Sequence, residues 1–372
     1  MVKMKRLTSA IFLLLFPIHL HADAGAFDTD RWYKMLDDVR SRAVSENIST
    51  ETIDATLKSP AFIPSIVRSD KNQSEFKLTL SGYLDRTVSP KRIKHGRGMR
   101  AKYPTMLSRV ENMYGVQPHV ILAFWGMESN FGDVKARHKL TDAFLTLMYN
   151  GRRETFFTKQ LLALMKIADK NHLDINSIYG SWAGAMGHFQ FIPTTLSQYG
   201  VDGNGDGRID IINNISDAMC SAGNYLHKLG WNPNEEIALR VLIPTDFDSD
   251  VLSGDKKYSI TQWKSMGVLN ADGVPLLDNE AVVGLVGGTG NNDKTNFVIS
   301  SDNDVEMTTM KVAYLTYPNF YRIKRWNNSN WYAIAIAELS DKLKNLHNAI
   351  HPCPICGNLS DTPEQGVCSI FL

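Results

Sequence analysis

Apolar residues recur at three- and four-residue spacing from Thr29 to about Arg240, which predicts a run of helices punctuated at Pro60, Pro90, Pro104, Gly115–Pro118, Gly151 and Gly180. Segments such as FFTKQLLALMKIADK read as amphipathic core helices. Between about Ile243 and Tyr317 the texture changes. Short β-prone runs (VLIPTDF, KYSITQW, AVVGLVGG, NFVISS, KVAYLTY) separated by Gly, Asn and Asp predict a small β-rich insertion. Helical period returns from Trp331 to Leu346, and the last stretch is a Pro- and Cys-containing tail with no strong period. The pattern gives a leader over 1–24, a helical region over 25–242 plus 319–350, an insertion over 243–318 and a tail over 351–372. The fold class is mainly α (α+β).

The 372 residues are 43% hydrophobic and 21% charged, which is globular composition and excludes a disordered or collagen-like chain. Forty basic residues against 39 acidic ones leave a formal charge of +1, so no nucleic-acid partner is expected. The opening MVKMKRLTSAIFLLLFPIHLHADAG reads as a secretory signal: Lys3, Lys5 and Arg6, an apolar stretch from Ile11 to Leu20, and a small-residue site Ala22-Asp23-Ala24. Cleavage leaves Gly25 first, an uncleaved anchor being the alternative. No Cys lies near that site, which argues against a lipoprotein, and no later segment approaches the roughly 20 apolar residues a membrane-spanning helix needs.

Export puts Cys220, Cys353, Cys356 and Cys368 in oxidising surroundings, where disulfides are the default reading. Their connectivity stays open. A zinc site from His351, Cys353, Cys356 and Cys368 is the rival. The run GLVGGTGNNDKT from Gly284 lacks the GK[ST] ending of a phosphate loop and reads as a loop between strands. The basic run KRIKHGRGMR, Lys91 to Arg100, reads as a solvated face, with contact to an anionic polymer or headgroup as the alternative.

The segment QPHVILAFWGMESNFG carries the strongest chemical signal. Pro118 suits a first helical turn, and Val120 to Trp125 with Met127 make the helix apolar nearly all round, hence buried. Glu128 comes at its end, where Gly132 is placed to stop it. Desolvation among Phe124, Trp125 and Phe131 and the negative end of the helix dipole both disfavour a charged carboxylate, so its pKa is expected to rise toward about 6 or higher. That keeps a general acid protonated near neutrality. A Glu in a buried hydrogen bond or ion pair is the structural alternative. A second segment, GSWAGAMGHFQFIPTT from Gly180, sets small residues beside aromatic ones and offers Ser181 and Gln190 as hydrogen-bonding side chains; tight helix packing would use the same composition.

Together these segments resemble the lytic murein transglycosylases of the membrane-bound B type, whose cores are lysozyme-like. The resemblance covers nearly all of the chain after the leader: SDKNQSEF and the Tyr83 region, YGVQPHVILAFWGMESNFG, LTDAFLTLMYNGRRETFF, GSWAGAMGHFQFIPTT, VDGNGDGRIDI and PNFYRIKRWNNSNWYAIAIAEL. It implies a lysozyme-like helical catalytic core preceded by a helical region. Glu128 would be the single catalytic acid/base, with Ser181, Gln190, Tyr83, Asn327 and Tyr332 lining a sugar groove. Arg152 and Arg153 match a paired-Arg motif that would meet stem-peptide carboxylates, a solvated pair being the alternative. Trp326 and Trp331 are candidates for stacking on sugar rings, Trp331 equally for the core.

The implied reaction cleaves the β-1,4 bond between N-acetylmuramic acid and N-acetylglucosamine and closes the muramoyl C6 hydroxyl onto C1, with no cofactor for catalysis. The implied partner is the peptidoglycan glycan strand, with a cell-envelope protein complex as a further one, in the periplasm of a Gram-negative-type cell. A water-using muramidase and a catalytically silent wall-binding scaffold are the rival readings.

Asp202, Asn204 and Asp206 at alternate positions before Gly207 reproduce the opening of an EF-hand loop, with a carbonyl expected from Arg208. Position twelve is Asn213 instead of Glu. The resemblance implies a longer loop closed by a later Asp, for which Asp217 is the candidate, and a structural Ca2+; a turn without metal is the alternative.

Overall fold

The computed structural model describes residues 27–71, 79–287, 294–300 and 305–344. Residues 1–26, where a leader is expected, and 345–372, with Cys353, Cys356 and Cys368, lie outside the described residues.

Among the described residues six helices precede the one that ends near Glu128: Thr29–Ser45 (α1), Thr50–Leu57 (α2), Pro64–Lys71 (α3), Leu80–Thr87 (α4), Pro90–Lys102 (α5) and Pro104–Tyr114 (α6). Their starts follow from local chemistry. The side chains of Asp28, Ser49, Thr79 and Ser89 each accept a hydrogen bond from a backbone N–H of the first turn of α1, α2, α4 and α5. Pro90 and Pro104 sit at the first position of α5 and α6, where the missing N–H costs nothing.

Pro118–Ser129 (α7) is the central helix. Seven consecutive residues from Val120 to Gly126 are buried, as its apolar circumference requires. After α7 come Leu140–Asn150 (α8), Glu154–Asn171 (α9), Pro193–Tyr199 (α10) and Ile215–Lys228 (α11). His138–Lys139 (β1) and Tyr179–Gly180 (β2) pair antiparallel on the way.

The β-rich region is one antiparallel sheet built from Ala238–Pro244 (β3), Ser253–Ser259 (β4), Leu269–Asn270 (β5), Val282–Gly287 (β6), Lys294–Ser300 (β7) and Val305–Thr316 (β8). The order is β4-β6-β8-β3-β5, with β7 also paired to β8. Gly284 to Gly287, at the overlap of the predicted β-prone run AVVGLVGG and the predicted loop, belong to β6; a Cβ on Gly284 would fall 2.7 Å from the Gly254 carbonyl oxygen, so the glycine there serves a close approach. A short helix, Ile260–Ser265 (α12), covers part of the sheet.

The period of two sends alternate residues to two cores. Val286 and Tyr314 join the helical core, while Leu285, Ala313 and Leu315 join a smaller one with Val241, Ile243 and Trp263. The chain then returns through Pro318–Trp326 (α13) to Asn330–Lys344 (α14), which packs along α7.

The basic run on α5 is only in part the solvated face expected: Lys91 and Lys94 are exposed, while its arginines are engaged. Arg97 donates to the Lys342 carbonyl at 3.2 Å and Arg100 to the Leu343 carbonyl at 2.7 Å, so these side chains cap the C-terminus of α14 and complement its dipole. Arg92 turns toward α7. No helix among the described residues is long and apolar enough to cross a membrane.

Candidate active site

Helix α7 stops one residue after Glu128, and the stop differs from expectation. Asn130, not Gly132, takes the left-handed C-cap (φ 50°), followed by Phe131 at φ 63° and Gly132 at φ 89°. Non-glycine residues rarely hold such angles, and this turn is held from outside: the Ser129 hydroxyl donates to the His188 carbonyl at 2.6 Å and accepts from the Gly132 N–H at 2.9 Å. The turn ties α7 to the 186–191 segment, where Met186 and Phe191 form a β-bridge.

Glu128 is half-buried beneath the α13–α14 corner. Its Oε1 accepts from the Trp326 indole N–H at 2.9 Å and from the Tyr332 hydroxyl. Burial pushes its carboxyl up to about 7, against the two hydrogen bonds, which pull the other way. Burial and the facing carboxylate hold the Tyr332 hydroxyl well above its ordinary value, so it stays a donor. Tyr83 is raised by burial and then by the Glu128 charge, while the Arg92 charge lowers it. Arg92 donates to the Thr87 carbonyl, lies 4.0 Å from the Met127 sulfur, and keeps a buried Nε–H without a partner.

Tyr83 and Trp331 stand with ring centroids 5.8 Å apart. With Lys324, Asn328, Ser329 and Asn330 they line a pocket of about 560 Å³. The pocket combines two rings with amide, hydroxyl and ammonium groups, which suits a ring that is apolar on its face and polar at its edge.

The structure thus brings Glu128, Tyr332 and Tyr83 together, and with them Trp326. It does not offer Trp326 as a free stacking surface: the indole is wedged edge-on against Phe124, Phe191 and Tyr225. Asn327, next in the chain, is exposed at the end of α13. The Ser181 hydroxyl accepts from the Ala185 N–H at 3.0 Å, and Gln190, at φ 51°, donates its side-chain amide to the Gly187 carbonyl at 3.0 Å, so both close the turn that backs Trp326 through Phe191.

Arg152 and Arg153 converge on the buried Asp70. Arg153 meets its carboxylate at 3.0 Å, Arg152 donates to its backbone carbonyl at 2.6 Å, and Asn150 adds a bond at 3.1 Å. Sequence reasoning missed Asp70 and the acid-facing role of Trp326, because both depend on contacts across distant segments. Cys220 is fully buried on α11 and pairs with no cysteine among the described residues; its other candidate partners lie outside them.

In the loop from Asp202 the candidate ligands bind their own backbone. Asp202 accepts from Gly205 at 2.6 Å and Gly207 at 2.7 Å, Asp206 accepts from Arg208 at 2.9 Å, and Asp217 accepts from Gly203 at 2.9 Å and Asp210 at 2.8 Å. No group of three His, Cys, Asp or Glu side chains among the described residues is arranged to hold a metal. The donor chemistry nevertheless fits a hard cation, since every candidate is oxygen. Burial raises the Asp217 carboxyl against the backbone N–H bonds from Asp210 and Gly203, which lower it, and the Asp202 charge adds a smaller upward push.

Comparison with known proteins adds the following. A family described as the transglycosylase SLT domain matches residues 31–341. Membrane-bound lytic murein transglycosylase B of Escherichia coli (strain K12) is 29% identical over 263 residues, 69% of this chain and 65% of that protein, so the match spans under two thirds of the relative's length. SltB3 from Pseudomonas aeruginosa in complex with NAG-anhNAM-pentapeptide superposes with a TM-score of 0.74 at 32% identity, covering 84% of this chain and 79% of that one. The Escherichia coli lytic transglycosylase Slt35 in complex with calcium gives a TM-score of 0.69 at 25% identity, over 84% and 92% of the two chains.

Proposed function

The chain belongs to the transglycosylase SLT domain family, and from that premise we propose that it is a peptidoglycan lytic transglycosylase in which Glu128 acts first as acid and then as base. The observation that carries the reading is the state of Glu128: a carboxyl raised to about 7, held by two donors, with no second carboxylate among the described groups that shift it. Most glycosidases that use water or a covalent intermediate employ a pair of carboxylates. One suffices if the substrate supplies its own nucleophile.

Protonated Glu128 gives its proton to the glycosidic oxygen between N-acetylmuramic acid and N-acetylglucosamine as the C1–O bond breaks and its electron pair leaves with that oxygen. The carboxylate then takes the proton of the muramoyl C6 hydroxyl as O6 bonds to C1. The proton count closes, and the product is a 1,6-anhydromuramoyl end. Tyr332 and Trp326 stabilise the carboxylate between the two steps. The pocket of Tyr83, Trp331 and their neighbours receives a sugar ring of the strand. Ser181, Gln190 and Asn327 complete the groove once substrate competes for their present turn contacts.

In the same reading the leader exports the chain to the periplasm. The Asp202 loop takes a structural Ca2+ through Asp202, Asn204, Asp206, the Arg208 carbonyl and Asp217; the ion supplies positive charge to the loop and has no part in the chemistry. Calcium in the Slt35 complex supports this reading. Mass spectrometry of muropeptides released from purified sacculi tests the whole. Fragments one water lighter than reducing-end products, absent with Glu128→Gln, are expected. Reducing-end fragments would make the chain a muramidase, and none from folded protein would leave the scaffold reading.

A further inference from the structure

We infer that Trp326 is the positioning residue that biases which oxygen of Glu128 carries the catalytic proton. The inference rests on the reading of Glu128 as the acid. Both donors converge on one atom: Oε1 accepts from the Trp326 Nε1–H at 2.9 Å and from the Tyr332 hydroxyl, while Oε2 accepts no hydrogen bond from any described residue.

A neutral carboxyl has one O–H, and the two donors do not constrain it equally. A tyrosine hydroxyl can turn and accept, so Tyr332 alone tolerates the proton on either oxygen. An indole N–H can only donate. A proton on Oε1 would turn Tyr332 from donor to acceptor and leave the indole N–H on the weaker remaining lone pair of a hydroxyl oxygen, with no rotation of the indole that converts it to an acceptor. The indole N–H therefore biases the proton to Oε2.

The indole cannot swing away from Oε1. Its ring packs edge-on against Phe124 at 5.5 Å, Phe191 at 4.8 Å and Tyr225 at 4.7 Å, from α7, the 186–191 turn and α11. Oε2 accordingly both gives the proton to the leaving oxygen and takes it back from the attacking hydroxyl, and the carboxyl need not rotate between steps. Donor bonds that strengthen on Oε1 as charge develops also make the carboxylate cheaper to form.

The test removes the N–H and keeps the ring. In the full chain, the Glu128 carboxyl is titrated by 13C NMR with and without Trp326→Phe, beside kcat and KM on peptidoglycan across pH. Loss of a bond to the charged form is expected to raise the Glu128 midpoint by about half a pH unit or more, with the basic limb of kcat moving in step. We also expect kcat to fall about tenfold with KM within about twofold. A tryptophan that only fills space would lower the rate or the unfolding temperature and leave midpoint and limb unmoved, and that result would overturn the inference. Should Trp326→Phe fail to fold, the benzothiophene analogue of tryptophan at 326 keeps the shape, lacks the N–H and reads the same shift. The NMR midpoint needs no turnover, so a chain that cleaves no peptidoglycan would refute the proposed function while still reporting on Trp326.

Discussion

Glu128 joins function and stability in one group. Its carboxyl titrates near 4.5 when unfolded and near 7 when folded, so the folded chain holds the proton more tightly. The stability this contributes is present in full below about pH 4.5 and is lost as pH rises through 7, a difference on the order of 3 kcal/mol. Glu128→Gln cannot ionise and escapes that loss. It is expected to be at least about a hundredfold less active, and to exceed the wild type in unfolding free energy by more at pH 8 than at pH 5. Urea unfolding at the two pH values checks this; an equal or smaller advantage at pH 8 would mean that the buried acid is not strained. Activity of the wild type should fall above about pH 7, as the acid form is depleted.

At the scale of elements, what was legible in the sequence divides by the range of the contact that decides it. Helix α7 was legible because its signals are local: proline at the first position and apolar residues all round. Its last turn was not, because Asn130 and Phe131 hold left-handed angles only with Ser129 anchored to His188, 59 residues away. Strand β3 begins at Ala238, earlier than the β-prone run, since Ala238, Leu239 and Arg240 read as helix formers until β8 pairs them with Thr316, Leu315 and Tyr314. The indole bond to Glu128 spans 198 positions and leaves no local trace.

The paired arginines show the same limit. Their motif was visible, and Asp70, which they hold, was not. Asp70→Ala leaves two adjacent guanidinium groups facing each other over a buried vacancy and is expected to destabilise the chain by about 2 kcal/mol, less than a fully buried pair because both arginines are half in solvent. A shift in the urea midpoint at unchanged slope would show it. The Asp202 loop gives a further check: Ca2+ should raise the unfolding temperature relative to a chelator, and Asp202→Ala should abolish the rise. A Ca2+-independent melt would return the loop to a turn held by its own amides.

For the molecule as a whole, the sheet is what the helical core leans on. Strands β6 and β8 are shared by two cores, because Val286 and Tyr314 face the helices while Leu285 and Leu315 face the smaller cluster around Trp263. Tyr314 adds a hydrogen bond at 2.8 Å to Glu338 on α14, the helix whose first turn carries Tyr332. Neither core can lose its packing without freeing strands that the other needs, so the two should melt together. Leu315 tests this from the far side: it is fully buried in the smaller cluster, away from the catalytic groups. Leu315→Ala is expected to cost about 2–5 kcal/mol by opening a cavity there. Because the strand is shared, far-UV dichroism and tryptophan fluorescence should then report one common transition at a lower midpoint, with cleavage activity lost over the same range. Two separated transitions, with fluorescence of the helical core surviving the first, would show the sheet to be an independent unit whose packing on α14 does not support the catalytic corner.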